Sequence, residues 1–195
     1  MIRLADVSVH GHIETNHKPF DKPPVGVTIH YTAGGSAIST IDYLRKTAFR
    51  YHLIVDRDGV VFQMVDLGCK VNHAGVATWN LASPNSQHVA VAVANWGIVT
   101  PSKGSYHTWA NTVLSPQEIA IRPYNARLGF SPWEKCGPEQ EGSLLYVVRW
   151  LIAKFGMNTV NICGHDEAAP DRKIDPGGTL SFSMAELRET LAKTG

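Results

Sequence analysis

The spacing of apolar residues along the N-terminal half of the chain predicts alternating strands and helices. Short runs of β-branched and apolar residues are typical of buried strands, and a capping serine, Ser36, opens the first helix. Asp58-Gly59 between two apolar segments favours a tight turn. The predicted elements are, in order, a strand, a helix, a hairpin and a second strand, at residues 25–32, 37–47, 51–65 and 88–95.

The C-terminal half has a less regular pattern. Residues 115–118, Ser-Pro-Gln-Glu, are typical of a helix start with a capping box, and Pro123 predicts a break in that helix. Apolar residues three and four positions apart predict a helix over 141–155 that Gly156 ends. The remaining segments are interpreted as surface loops at 96–114 and 129–139, a short strand at 159–163, and a last helix that begins at Ser183.

Strands that alternate with helices predict an α/β fold with a single central mixed β-sheet flanked by helices. The chain of 195 residues is 44% hydrophobic, which is typical of one globular domain. We expect a single domain over 1–195, with an irregular lead-in at 1–24, a core at 25–180 and a C-terminal helix at 181–195. The longest apolar run, at 89–94, is far shorter than the ~20 residues that span a bilayer, so no membrane insertion is expected.

Charge and cysteine content narrow the class of protein further. With 18 Lys and Arg against 17 Asp and Glu, the chain has no global field that would favour nucleic acid, and no nucleic-acid partner is expected. Three cysteines cannot all pair within the chain, which favours a reducing compartment. The N-terminus lacks a basic start followed by an apolar stretch, so we expect cytoplasmic synthesis without a signal peptide. The chain is expected to act as a monomer.

Nine histidines are the unusual feature of the composition. His30 lies near the end of one predicted strand and His165 just beyond another, and Asp175 follows ten positions later. Two imidazoles and one carboxylate are a common catalytic zinc set that leaves a fourth position for water. Spacing alone does not show that the two strands are neighbours, and the alternative is that His30 and His165 are buried, hydrogen-bonded histidines.

Four ordered motifs resemble the type 2 family of N-acetylmuramoyl-L-alanine amidases, which includes peptidoglycan recognition proteins and amidase-type phage lysozymes. They are TIHYT at 28–32, which contains His30, YHLIV at 51–55, NHAG at 72–75, and GHDEAAPDRKIDPG at 164–177. The resemblance covers about residues 25–180. It implies a zinc (Zn²⁺) hydrolase that cuts the amide between the lactyl group of N-acetylmuramic acid and L-alanine in peptidoglycan or soluble muropeptides.

The resemblance also implies roles for individual residues. His30, His165 and Asp175 fall on the zinc-ligand positions, Lys173 on a cationic position that stabilises the transition state, and Tyr51 on a catalytic tyrosine. Without the resemblance, Lys173 would be interpreted as a solvated loop lysine and Tyr51 as a half-buried sheet tyrosine.

Other residues near these motifs have open alternatives. His73 is expected in the cleft or behind the ligands, and Arg172 to meet a stem-peptide carboxylate or to form a structural salt bridge. Cys163 is a rival ligand that we interpret as a core residue. Ala92 stands where recycling-type amidases carry a glutamate base, which leaves the general base open between zinc hydroxide, Tyr51 and His73. His10, His12 and His17 form a loose cluster interpreted as part of the polar lead-in.

The sequence leaves several functions open. The leading hypothesis is a phage-type endolysin that acts on the cell wall after release. Ala92 and Tyr51 favour this hypothesis. The alternatives are a cytoplasmic amidase of cell-wall recycling, a non-catalytic peptidoglycan-binding module, and a zinc hydrolase of another amide or ester. Residues 96–114 and 129–139 are expected to shape specificity.

Overall fold

The computed structural model describes Leu4, Ser8, residues 10–123 and residues 129–193. Its strands are β1 (Gly26–Tyr31), β2 (Leu53–Val55), β3 (Val61–Gln63), β4 (His88–Val93), β5 (Thr100–Ser102), β6 (Ser105–His107), β7 (Val113–Leu114), β8 (Ile119–Pro123), β9 (Phe130–Glu134) and β10 (Ile162–Gly164). Its α-helices are α1 (Ala37–Leu44), α2 (Pro84–Gln87), α3 (Pro138–Phe155), α4 (His165–Ala168) and α5 (Met184–Ala192).

A five-stranded mixed sheet lies at the centre, in the order β10-β1-β4-β2-β3. The first four strands are parallel and β3 is antiparallel to β2. Because side chains alternate across a strand, β1 directs Val27 and Ile29 to one face and Thr28 and His30 to the other. The predicted α/β fold with a central mixed sheet between helices is confirmed.

Helices cover both faces of this sheet. On one face, Val27 and Ile29 share a core cluster with Leu144 of α3 and Leu187 of α5. On the other face, α1 packs on β4 through Ala90 and Ala92, and the small side chains of these alanines let the helix approach closely. The C-terminal helix α5 is thus joined to the central core by apolar contacts.

Most of the predicted elements form, with shifted ends. α3 begins at Pro138, earlier than predicted, and ends where Gly156 adopts a left-handed φ of 65°. Ser183 caps α5 and Glu186 completes its capping box. α1 is shorter than predicted, and residues 159–161 form a 3-10 turn before β10 rather than the start of a strand.

The segment 96–114, predicted as a surface loop, instead contains regular structure. β5, β6 and β7 form a small antiparallel sheet there. Lys103 and Gly104 both have positive φ, 46° and 82°, at the two-residue connection between β5 and β6. Positive φ at both central residues matches the twist of a hairpin, and the glycine supplies it at little cost.

The helix predicted after Ser115 and the loop predicted at 129–139 are also wrong. The capping box forms, with Glu118 accepting from the Ser115 N–H, but it closes a single 3-10 turn. The chain then enters β8, which pairs with β9 over its whole length. The predicted helix fails because β-branched Ile119 and Ile121 favour a strand once β9 offers a partner, and the proline that follows disfavours a helix. Residues 124–128 lie outside the described part.

The β8–β9 hairpin supports the loop that follows α4. Trp133 of β9 is fully buried, and its ring lies against Gly177 and Gly178 so closely that a Cβ on either glycine would overlap it. The N-terminal segment, where described, runs along the sheet edge and makes isolated bridges from Glu14 to Val65 and from Pro19 to Cys69.

None of the helices in the described ranges is both long and apolar enough to cross a bilayer.

Candidate metal centre and adjoining cleft

His30, His165 and Asp175 meet at the carboxyl ends of two neighbouring parallel strands. Ile29 of β1 pairs with Gly164 of β10, so His30 and His165 follow at the same level of the sheet. Asp175 lies in the loop that Trp133 supports, and its carbonyl accepts from the Asp166 N–H at 2.8 Å. The fold therefore brings these residues together from distant parts of the chain.

The two imidazoles converge on one carboxylate oxygen. Asp175 Oδ2 lies 2.8 Å from His30 Nδ1 and 3.0 Å from His165 Nδ1. All three residues are buried, and their potential ligand atoms lie within 4.8 Å of one another. They form a group that could hold a metal ion.

The outer nitrogens of both histidines have partners that fix their protonation. His165 Nε2 lies 2.9 Å from the Ala74 carbonyl, so it must carry the proton and donate. His73 Nε2 likewise faces the Pro84 carbonyl, which leaves His73 Nδ1 to accept from His30 Nε2 at 2.9 Å. In their neutral forms, His30 and His165 therefore both keep a lone pair on Nδ1.

This arrangement fits a metal cation. Two imidazole lone pairs and an ionised carboxylate oxygen are three acceptors that face one another, and a positive charge between them is required to make the contacts favourable. Neutral imidazole nitrogens and a carboxylate oxygen are also the donor set that zinc accepts. An outer hydrogen bond that orients each ligating imidazole is a common feature of such sites.

Burial sets the charge states of the group. It lowers the pKa of His30 to about 4, against the opposing effect of the Asp175 carboxylate, and it lowers the pKa of His73 well below its usual value. Burial would raise the pKa of the Asp175 carboxyl, but its interactions with His165 and His30 outweigh that effect and hold the pKa below its usual value. Neutral His30 and ionised Asp175 are the forms a metal ion needs.

Tyr51 and Lys173 lie at the same opening. The Tyr51 ring centroid is 5.0 Å from that of His30, and burial raises the pKa of its phenol. Tyr51 is therefore protonated at neutral pH and can donate a hydrogen bond. Lys173 is half-buried and lines the same cavity of about 350 Å³ as His165 and Asp175.

His73 and Arg172 also reach this cavity, although each has structural contacts of its own. His73 is buried, and both its ring nitrogens are engaged, by His30 and by Pro84. The Arg172 guanidinium donates to the carbonyls of Ala74 and Val76, at 2.6 and 2.7 Å. A direct contact of either residue with substrate stays a prediction.

The remaining candidate ligands lie elsewhere. Cys163 is buried beside Thr28 and His88 and is not among the three metal-ligand candidates, as expected of a core residue. His10 contacts Asp42 of α1, and His17 contacts Glu14. Ala92 pairs with His30 in the sheet and is fully buried, so this position has no side chain that could accept a proton.

The sequence reasoning missed an aromatic extension of the cleft. A second cavity of about 450 Å³ adjoins the first, and both are lined by Thr32, Ala33 and Tyr51. Tyr43, Trp96 and Trp109 form much of its wall. No periodicity identifies these residues, and the nearest signal is two tryptophans within a segment that lacks any apolar pattern.

The model of the Amidase_2 family, described as N-acetylmuramoyl-L-alanine amidase, matches residues 20–178. The chain belongs to this family. The resemblance read from the four motifs is thereby confirmed, and the protein is an N-acetylmuramoyl-L-alanine amidase of the Amidase_2 family, whose substrate is peptidoglycan. No curated protein sequence matches the chain.

Solved structures of the Amidase_2 fold are similar over most of the chain. A selenomethionine derivative of AmpD has a TM-score of 0.64 and 20% identity, covering 97% of this chain and 96% of that one. AmiD from E. coli, in complex with an anhydro-muropeptide substrate, has a TM-score of 0.61 and 22% identity, covering 89% of this chain and 58% of AmiD. The endolysin LysCS from Clostridium intestinale URNW has a TM-score of 0.61 and 15% identity, covering 97% of each chain. At these identities, the likeness shows the fold.

Proposed function

We propose that this amidase is zinc-dependent and cuts the amide between N-acetylmuramic acid and L-alanine, with His30, His165 and Asp175 as the zinc ligands. The observation that carries the proposal is the convergence of two imidazole lone pairs on one buried carboxylate oxygen. When bound, the ion would act as a Lewis acid and make water available as a nucleophile near neutral pH.

The chain's own groups supply the rest of the chemistry. Lys173 carries a positive charge at the opening, where it would stabilise negative charge that develops on the amide oxygen. The protonated Tyr51 phenol would donate to the same oxygen or orient the attacking water. His73 would act behind the ligands, because its nitrogens already hold His30 and the Pro84 carbonyl.

We further propose the role of an endolysin that acts on polymeric cell wall after release, with Arg172 beside the stem peptide. Its support is the absence of a carboxylate at Ala92: among the described residues that line the two cavities, Asp175 is the single carboxylate. Among the chain's own groups, the proton transfers would then rest on Tyr51. A recycling amidase would instead prefer soluble anhydro-muropeptides.

Mass spectrometry of muropeptide digests tests the reaction. We expect zinc-loaded protein to release stem peptides whose N-terminal L-alanine has a free amino group. Chelator should abolish this release, and added Zn²⁺ should restore it. Asp175→Asn should lose zinc and at least ~100-fold of the rate, whereas Asp42→Asn, an exposed control on α1, should match the wild type. Zinc-loaded protein that leaves this bond intact would refute the amidase assignment.

The choice of substrate tests the biological role. An endolysin should solubilise intact sacculi at a rate comparable with its rate on soluble muropeptides at equal bond concentration. A rate on soluble anhydro-muropeptides that exceeds the sacculus rate by ~100-fold would instead establish a recycling amidase.

A further inference from the structure

The aromatic cavity has exposed ring faces that the proposed chemistry does not use. Trp109 is 71% exposed and Tyr43 67% exposed. The rings of Trp96 and Trp109 meet edge to face, with centroids 5.9 Å apart and planes at 70°. Large apolar side chains that stay exposed beside a cleft are a common mark of a binding surface.

These rings are held by contacts from several elements. The Trp109 indole N–H donates to the Ala33 carbonyl at 2.8 Å, and Ala33 has a positive φ of 54° at the boundary of the two cavities. The buried Glu134 carboxylate accepts from the Trp96 N–H at 2.6 Å and pairs with Arg57. Arg57 in turn donates to the Gly35 carbonyl. The position of both walls is therefore fixed before any ligand arrives, which lowers the entropic cost of binding.

The two ends of the cleft differ in charge. The described residues that line the aromatic cavity are all uncharged. The cavity at the metal centre instead contains Arg172, Lys173 and Asp175. Tyr51, Thr32 and Ala33 belong to both, so a ligand that crosses the metal centre meets a cationic end and a neutral aromatic end.

We propose that Trp96, Trp109 and Tyr43 form a subsite for an N-acetylhexosamine ring of the glycan strand, with the stem peptide directed to the cationic end. The inference rests on the proposed muramoyl-alanine cleavage, because that bond joins a sugar to a peptide. A neutral pyranose has a face of C–H bonds that packs on aromatic rings, and hydroxyl and acetamido groups that suit the polar rim at Thr32 and Ser39. The carboxylates of a stem peptide suit Arg172 and Lys173.

Binding of an uncharged sugar tests this subsite without turnover. The probe is the tetrasaccharide of N-acetylglucosamine, titrated by calorimetry into chelator-treated protein. We expect Trp109→Ala to weaken binding by about tenfold or more, and Trp109→Phe to retain most of it. Trp109 is largely exposed, so its removal leaves the core intact.

Trp79→Ala is the matched control. Its indole also donates to a backbone carbonyl, that of Val160 at 2.8 Å, but Trp79 does not line the cleft. This variant should bind the tetrasaccharide like the wild type. The subsite would be overturned if the wild type failed to bind the tetrasaccharide, or if Trp109→Ala bound it equally well. It would also be overturned if Trp109→Ala lost affinity for a sugar-free stem peptide and not for the tetrasaccharide.

Turnover separates this inference from the proposed reaction. On glycan strands that carry stem peptides, Trp109→Ala should raise KM by about tenfold and leave kcat within about twofold. If the wild type cuts the muramoyl amide but Trp109→Ala has an unchanged KM, the glycan subsite is rejected and the amidase assignment stands. If the tetrasaccharide binds through Trp109 and no muramoyl amide is cut, the amidase assignment fails instead.

Discussion

At the scale of single residues, the metal centre depends on groups that would not themselves touch a metal ion. His30 and His165 present Nδ1 inward because His73 and the Ala74 carbonyl engage their Nε2 atoms. These two partners are adjacent in sequence, in one loop that Arg172 holds by its carbonyls. A change in this loop therefore alters the tautomer preference of both ligating imidazoles.

His73→Ala should weaken zinc binding by about 10- to 100-fold, because His30 loses the acceptor that fixes its ring and tautomer. His73→Asn, whose side-chain oxygen can accept from His30, should recover part of this loss. Chelator competition with a zinc indicator measures the affinity.

The control for this series is His10→Ala, which removes a histidine whose partner, Asp42, is exposed. Its zinc affinity should equal that of the wild type. A His73→Ala variant with unchanged zinc affinity would show that the hydrogen bond to His30 does not orient the ligand.

At the scale of elements, the segments that the sequence did not predict correctly are the ones that shape the cleft. Trp109 lies in the connection between β6 and β7 and contacts Trp96. In β9, Glu134 accepts a hydrogen bond from the Trp96 N–H, and Trp133 packs against the loop that contains Asp175. These strands are short and pair with segments whose approach depends on the rest of the fold, so their local pattern is weak. The central sheet can thus be predicted from local sequence patterns, whereas the peripheral strands that shape the site cannot.

Glu134→Gln should lower the free energy of unfolding by about 2 kcal/mol, because it removes the charge of a buried carboxylate that pairs with the partly exposed Arg57 and weakens the acceptor of the Trp96 N–H. The matched control is Asp21→Asn, which breaks the Lys70 ion pair on an aspartate side chain that is 87% exposed and should cost less than 1 kcal/mol. Urea denaturation measures both. Equal effects in the two variants would mean that the Glu134 pair does not brace the cleft.

At the scale of the whole molecule, buried neutral histidines link stability to pH. Burial lowers the pKa of His52 to about 4, and the charge of His17 lowers it further. A hydrogen bond to the Cys69 carbonyl and the charge of Asp66 act in the opposite direction but are smaller effects. Burial alone lowers the pKa of His88 to about 4, and its Nδ1 contacts Thr28 and Cys163. An unfolded chain binds these protons near pH 6.5, whereas the folded chain does not.

The free energy of unfolding should therefore fall as the pH drops from about 6.5 to about 4, by up to ~1.4 kcal/mol per pH unit for each histidine. Above pH 6.5 both states are neutral at these positions, and the effect vanishes. Urea midpoints from pH 7.5 to 4.5, in buffer with chelator, measure the slope. His88→Leu should reduce it by about one proton, and an unchanged slope would show that His88 is protonated in the folded protein.

The sequence predicts the central sheet and the helices α3 and α5 because apolar spacing and caps are local signals, as at Gly156 and Ser183. The proximity of His30 to His165 does not follow from spacing, since it depends on the pairing of β1 with β10. Residue types alone suggest a zinc set and leave buried, hydrogen-bonded histidines as an alternative, and the motif resemblance favours the zinc set. Trp96 and Trp109 were missed because their role depends on a cleft that forms between distant segments.

The separation of the ligands along the chain has a consequence for biosynthesis. His30 and Asp175 lie 145 positions apart, so a nascent chain that has completed β1 still lacks the carboxylate. It also lacks β10, whose pairing with β1 brings His165 beside His30. The three proposed ligands therefore cannot assemble before residue 175 has been synthesised.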